Sequence, residues 1–277
     1  MALYLVWTLM GFSLSAPPVT SGPGPYDLDN YDDSDTWNLN TYGETYDYEG
    51  LDEEVRGGVK IPFSLSTAGM PSCLLCVCIS GSVYCDDSDL NQIPPLPKET
   101  THFYARFNKI TEIRATDFIN LNQLKRIDLS GNQISKVNED AFGSMLQLQD
   151  LILADNNIQG LPELPATLKH IDVRNNQLRS SGMHAEAFMK MKELQFLYLS
   201  NNKLDDIPVP LPESLRVLHL QNNNIQSIGQ DTFCNTHDIN YIRKALEDIR
   251  LDGNPVDINL YANAYVCLPR LPIGTPV

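Results

Sequence analysis

From Leu124 to Ile134 the apolar residues Leu124, Ile127, Leu129 and Ile134 recur around a single asparagine, Asn132. This spacing matches neither the 3.6-residue period of a helix nor the two-residue alternation of a plain strand. The same frame, L-x-x-L-x-L-x-x-N-x-L, returns along the chain with asparagine at Asn156, Asn176, Asn202, Asn223 and Asn254, and in a degraded first copy (Thr100, Phe103, Ala105, Asn108, Ile110). The copies begin at residues 100, 124, 148, 168, 194, 215 and 246, giving intervals of 24, 24, 20, 26, 21 and 31 residues. A self-similar period in this range is the signature of a solenoid, in which one repeat cannot bury its own apolar edge and depends on its neighbours. The frame predicts a short strand followed by a sharp turn away from the sheet. That turn aims backbone donors and acceptors inward, and an amide side chain can both donate and accept there. A leucine in its place would pack but leave those groups unpaired, at about 1–3 kcal/mol per group.

The expected fold is therefore an α/β solenoid: a curved leucine-rich repeat with a seven-stranded parallel sheet on its concave face. Connecting stretches such as "LPELPATL" and "IPVPLPESL" are too short and proline-rich for helices, so turns or extended chain are expected on the outer face. "SSGMHAEAFMKMKEL" leaves room for a helical turn or two. A solenoid needs closed ends. "CLLCVCISGSVYC", with Cys73, Cys76, Cys78 and Cys85, provides a first cap, and Cys234 and Cys267 are placed to clasp the last, across the longest interval. Four clustered cysteines admit a zinc knuckle as well as disulfides, but no histidine lies nearby.

Charge and composition change the picture at the N-terminus. "MALYLVWTLMGFSLSA" is an uncharged apolar run that reads as a signal peptide over residues 1–15; it is too short to span a bilayer and implies an oxidising compartment. The formal charge of −15 is concentrated after it: residues 17–72 carry eleven acids against Arg56 and Lys60, while the 205 residues beyond carry 24 acids against 18 bases. Residues 16–72 are expected to form a disordered acidic tail. Its tyrosines Tyr26, Tyr31, Tyr42, Tyr46 and Tyr48 each lie within two residues of an acid, a context suited to sulfation, and the alternative is an unmodified solubilising linker. Ser21, followed by Gly22, is the candidate for glycosaminoglycan attachment, and no Asn-x-Ser/Thr sequon occurs. Residues 73–99 are expected to form the cysteine-rich cap and 100–277 the repeat domain. Basic density sufficient for nucleic acid is missing, and no later segment is long and apolar enough for membrane insertion.

Strand alternation assigns the residues that line the concave sheet. One column reads Tyr104, Asp128, Ile152, Asp172, Tyr198, His219, Arg250; on one side of it lie His102, Arg126, Asp150, His170, Phe196, Val217 and Asp248, and on the other Arg106, Ser130, Ala154, Arg174, Ser200, Gln221 and Asp252. Aromatics mixed with both charge signs suit a protein interface; a merely solvated face is the alternative. The candidate partner-binding residues are Tyr104, Arg126, Asp128, Asp172, Phe196, Tyr198, Val217, His219 and Arg250, with Phe196, Tyr198 and Val217 forming the most apolar patch. His102, His170 and His219 fall on separate strands with no carboxylate at triad-like spacing, so neither a metal nor a catalytic role is expected of them. There is no G-x-S-x-G, no H-E-x-x-H and no glycine-rich phosphate loop, and neither an enzyme nor a cofactor is expected.

The spacing C-x2-C-x-C-x6-C at Cys73, Cys76, Cys78 and Cys85, the seven repeats and the paired C-terminal cysteines resemble the class III small leucine-rich repeat proteoglycans. "VYCDDSDLNQIPPLP", "KRIDLS", "LHLQNNNI" and "ALEDIRLDGNP" through "CLPRLPIG" carry the resemblance over residues 71–277. It implies disulfides Cys73–Cys78, Cys76–Cys85 and Cys234–Cys267. It also implies a secreted extracellular-matrix protein that organises collagen fibrils, binds glycosaminoglycans or other matrix proteins, and dimerises through its concave face. The tail departs from the family in lacking both a long glutamate run and a Ser/Thr/Pro-rich stretch, and Leu260 and Tyr261 after Asn259 remove a family glycosylation site. A soluble modulator that sequesters growth factors or blocks receptor adhesion to collagen is the rival expectation.

Overall fold

Every copy of the frame gives three residues to a strand whose central side chain points into the core. The computed structural model describes residues 72–238 and 240–274, all within one unit spanning Pro62–Val277. Its parallel strands are β3 (His102–Tyr104), β5 (Arg126–Asp128), β7 (Asp150–Ile152), β8 (His170–Asp172), β9 (Phe196–Tyr198), β10 (Val217–His219) and β11 (Asp248–Arg250). They pair in sequence order and in one register, so Phe103, Ile127, Leu151, Ile171, Leu197, Leu218 and Ile249 stack as a buried column. β4 (Glu112–Ile113) and β6 (Lys136–Val137) form a separate two-stranded sheet.

Among the described residues the sheet has nine strands rather than the seven expected. β1 (Val77–Ile79) and β2 (Ser82–Tyr84) form an antiparallel hairpin, and β2 pairs in parallel with β3, so the N-terminal cap extends the concave sheet. A four-residue helix, Ser72–Leu75, precedes it. All six cysteines are paired, as Cys73–Cys78, Cys76–Cys85 and Cys234–Cys267, which removes the thiolates a zinc knuckle would need. At the far end the chain returns: Ile273 bridges Arg250, accepting from Leu251 N at 2.6 Å and donating to Ile249 O at 2.9 Å, so the last strand edge is covered.

The asparagines form the ladder that the sequence requires. In each of the seven, Oδ1 accepts a backbone N–H from the preceding coil at 2.9–3.1 Å: Leu90 to Asn108, Ile110 to Asn132, Ile134 to Asn156, Ile158 to Asn176, Leu178 to Asn202, Leu204 to Asn223 and Ile225 to Asn254. Each Nδ2 donates backward to a carbonyl of the preceding coil, from Cys85 O for Asn108 to Leu220 O for Asn254, at 2.8–3.0 Å. The residue before each of them, Phe107, Gly131, Asp155, Asn175, Asn201, Asn222 or Gly253, has φ between +53° and +72°. This left-handed kink aims the amide inward, and glycine, asparagine and aspartate tolerate it best. On the exposed side Asn222, Asn201 and Asn175 link amide to carbonyl in a second row ending on Asp155.

The outer face is built from turns. The "SSGMHAEAF" stretch forms a single 3-10 turn, Ser180–Gly182, rather than longer helix. Wider coils each insert a buried phenylalanine, Phe118, Phe142, Phe188 or Phe233, whereas the two narrow coils, beginning at 148 and 194, carry the proline-rich stretches instead. The long C-terminal loop is held by more than its disulfide. The buried Arg243 donates from Nη2 to Leu211 O and Pro212 O, and Tyr241 donates to the Glu213 carboxylate at 2.6 Å; burial first, and that hydrogen bond second, push the Tyr241 phenol up to about 12.

Asn156→Ala strips the Ile134 N–H of its partner and the Leu129 carbonyl of one of its two. It is expected to destabilise the domain by about 1–3 kcal/mol in denaturant titrations, the cost of leaving one buried N–H unpaired. Asn175→Gly in the exposed row keeps the left-handed backbone and is expected to cost less than about 1 kcal/mol. Equal losses would show that the two rows carry equal weight.

Candidate functional site: the concave face

Because the strands are three residues long, each presents its first and third side chains on the concave face, and the parallel register brings residues from different coils into contact. A connected row crosses the sheet. The Tyr84 and Tyr104 rings stack with centroids 5.0 Å apart and planes 2° from parallel, and the Arg126 guanidinium lies 5.8 Å from the Tyr104 centroid. Arg126 reaches Asp150 at 3.7 Å, and Asp150 reaches His170 Nδ1 at 3.5 Å. His170 meets Tyr198 edge to face at 5.4 Å, Tyr198 meets His219 at 5.0 Å, and His219 Nε2 lies 3.0 Å from Asp248 Oδ2. Arg250 Nε closes the row, donating to Asp248 Oδ1 at 3.3 Å. Tyr198 is thus flanked by two imidazoles, with the Arg174 guanidinium 5.3 Å from its ring centroid.

Most of the expected interface residues belong to this row or border it. Tyr104, Arg126, Phe196, Tyr198, Val217, His219 and Arg250 are all partly exposed on the concave side. Phe196 packs edge to face on His170 at 5.9 Å and faces Val217 in register. Asp128 and Asp172 differ, being 6% and 4% exposed. Asp128 accepts from the Ser130 hydroxyl and backbone N–H, and Asp172 binds the Arg174 guanidinium through both oxygens. They position neighbouring side chains and offer little surface of their own. Five further residues of the face were not among the candidates: Tyr84, which lies in the cap, and Asp150, His170, Arg174 and Asp248, whose contacts depend on the register between strands.

The histidines are also better partnered than sequence spacing indicated, because both carboxylates come from neighbouring strands and not from neighbouring sequence. The His170 hydrogen bond, with Arg126 adding to it, holds the Asp150 carboxyl below the usual range. For Asp248, burial pushes upward, but the His219 hydrogen bond and charge together with Arg250 outweigh it, and the net shift is downward. Burial, followed by the charges of Asp172 and Asp248, raises the Tyr198 phenol. Among the described residues no group of three or more His, Cys, Asp or Glu is placed to hold a metal ion, and no helix is long and apolar enough to cross a membrane. The tail candidates Tyr26, Tyr31, Tyr42, Tyr46, Tyr48 and Ser21, and the signal segment, lie outside the described residues.

Comparison with known proteins fits this geometry. Models described as leucine rich repeat match residues 101–158, 193–213 and 214–236. The chain is 59% identical to mouse epiphycan over 205 residues, covering 74% of this chain and 64% of that one, and 57% identical to mouse opticin over 211 residues, covering 76% and 64%. Chicken epiphycan is 55% identical over 217 residues, 78% of this chain and 68% of that one. The chain belongs to the class III small leucine-rich repeat proteoglycans. Members of this family are extracellular-matrix proteins. The match spans a little under two thirds of the mouse relatives' length, and identity to their epiphycan and opticin differs by two percentage points. A chain in a solved octameric complex of Latrophilin 3 (Lec, Olf), Unc5D (Ig, Ig2, TSP1) and FLRT2 (LRR) shares the fold, with a TM-score of 0.54 and 27% identity over 66% of this chain and 55% of that one.

The depressed Asp248 carboxyl gives a signed expectation. A group with a lowered folded pKa contributes stability that is complete above its unfolded value, about 3.9, and lost as pH falls through the folded value. Asp248→Asn is expected to unfold at lower denaturant than the parent at pH 7. That gap should close as pH drops from about 4 to about 2; a gap constant over this window would mean that the carboxylate's contacts are not its source.

Proposed function

We propose that this domain is a non-catalytic matrix-organising module that binds fibrillar collagen through its concave face. The observation that carries the reading is the connected row from Tyr84 to Arg250, in which each charged or aromatic side chain is held by the next. A surface fixed in this way loses little side-chain entropy on docking, and a partly exposed aromatic cluster at its middle is the usual place for an energetic anchor. Tyr198, Phe196 and Val217 form that anchor, on adjacent strands, with His170 and His219 as its polar sides. The sheet is about 40 Å across at the usual strand spacing, long enough for an extended or triple-helical segment to lie across several coils. Self-association through the same face would compete with collagen. Sulfation of Tyr26, Tyr31, Tyr42, Tyr46 and Tyr48 and a glycosaminoglycan chain on Ser21 would add an anionic arm that recruits basic matrix proteins; the intact mass of the secreted protein reports both.

The test uses immobilised collagen fibrils. Saturable binding is expected to survive deletion of residues 16–72 and to weaken about tenfold or more in Tyr198→Ala or Phe196→Ala, the scale of a hot-spot truncation. Unchanged affinity in both variants would overturn the concave-face reading. Capture of a growth factor without collagen binding would favour the soluble modulator.

A further inference from the structure

Where the chain folds back to cover β11, it creates a cleft of about 400 Å³ that the row described above does not fill. Its walls come from four places: Phe196 of β9, Arg216 just before β10 with Val217 at its start, Glu247 just before β11 with the whole of that strand, and Arg270, Leu271 and Ile273 of the returning segment. Leu271 and Ile273 are exposed large apolar side chains, 75% and 51% accessible, facing a cleft that already holds Phe196 and Val217. The charges are not balanced. Arg250 is paired with Asp248 at 3.3 Å and Arg216 stands 3.7 Å from Glu247, but Arg270 has no acidic partner among the described residues. Three guanidinium groups therefore meet two carboxylates, leaving a local positive charge in a domain whose overall balance is acidic.

We infer that this cleft is a subsite for one carboxylate of a protein ligand, borne beside a large apolar side chain on an extended segment. The inference rests on the concave-face reading and supplies the chemistry of the partner at its C-terminal end. Arg270, without an acidic partner among the described residues, is the cation that meets the carboxylate; Arg216 and Arg250 flank it, and the apolar rim takes the neighbouring side chain. A guanidinium suits this task because its planar donors match both oxygens of a carboxylate. A polysulfated glycan fits less well. Glu247 and Asp248 inside the cleft repel a dense polyanion, and such a polymer has nothing to place on Phe196, Val217, Leu271 and Ile273.

The experiment compares the full chain with Arg270→Glu and with Lys192→Glu, which makes the same charge change at an exposed position on the outer face. Three probes are used: native collagen fibrils, fibrils whose carboxylates have been converted to neutral amides, and heparin. Arg270→Glu is expected to weaken binding to native fibrils about tenfold at low ionic strength, shrinking to about twofold at 0.5 M salt as screening takes over, with Lys192→Glu close to the parent. On amidated fibrils the parent should bind as weakly as Arg270→Glu does on native ones, with no further loss in the variant. Equal binding of all three proteins to native fibrils overturns the subsite and leaves the concave-face reading intact. A parent that binds no fibril overturns both. Loss confined to heparin in Arg270→Glu overturns the carboxylate assignment in favour of a sulfated glycan.

Discussion

The structure depends on the satisfaction of inward-pointing backbone groups at each turn. A coil that bends sharply away from a three-residue strand would bury N–H and C=O groups with no partner, and the cost would be repeated at every level of the stack. One amide per coil removes it, donating to one carbonyl of the preceding coil and accepting from an N–H of that same coil. Because each amide spans the gap between coils, it also fixes the register in which they stack. The uniform pairing from β3 to β11 and the unbroken apolar column behind it follow from that register.

The concave face is a consequence of the same constraint. Its side chains are contributed by residues some 20–30 positions apart, and they meet only because the register is constant. The row from Tyr84 to Arg250 therefore inherits its rigidity from a ladder on which none of its members sits. Asp128 and Asp172 show how this works locally: each is nearly buried, and each fixes a more exposed neighbour, Ser130 or Arg174, at the surface. Family membership places the chain among extracellular-matrix proteins.

What could be read from the sequence was whatever repeats within one coil. The seven asparagines, the alternation of core and concave positions and the wide C-terminal loop all follow from spacing inside a single frame. Contacts between coils were less accessible. His170 and His219 find their carboxylates across strands: the aligned column sets Asp150 beside His170, whereas the His219–Asp248 contact crosses from one column to the next; Tyr84 joins the face only because the cap hairpin adopts the same register. The left-handed residue before each asparagine was visible in hindsight as Gly131, Asp155, Asn175, Asn201, Asn222 and Gly253, but Phe107 at the first position masks the rule. Arg243 gave no signal at all, since nothing in a sequence marks which arginine will be buried against carbonyls.

The outer face carries one more regularity. Coils with a buried phenylalanine behind the outer face are wide, coils with the proline-rich stretch are narrow, and from residue 148 onward they alternate. Phe118 and Phe142, on consecutive wide coils, lie 6.2 Å apart, while Phe142, Phe188 and Phe233 are each separated by a narrow coil. The natural module of this part of the chain is accordingly a couple of coils, one of each width. Gain or loss of such a couple preserves the phase of the convex side, whereas gain or loss of a single coil sets like against like, so growth of the array by doublets is the route its geometry leaves open.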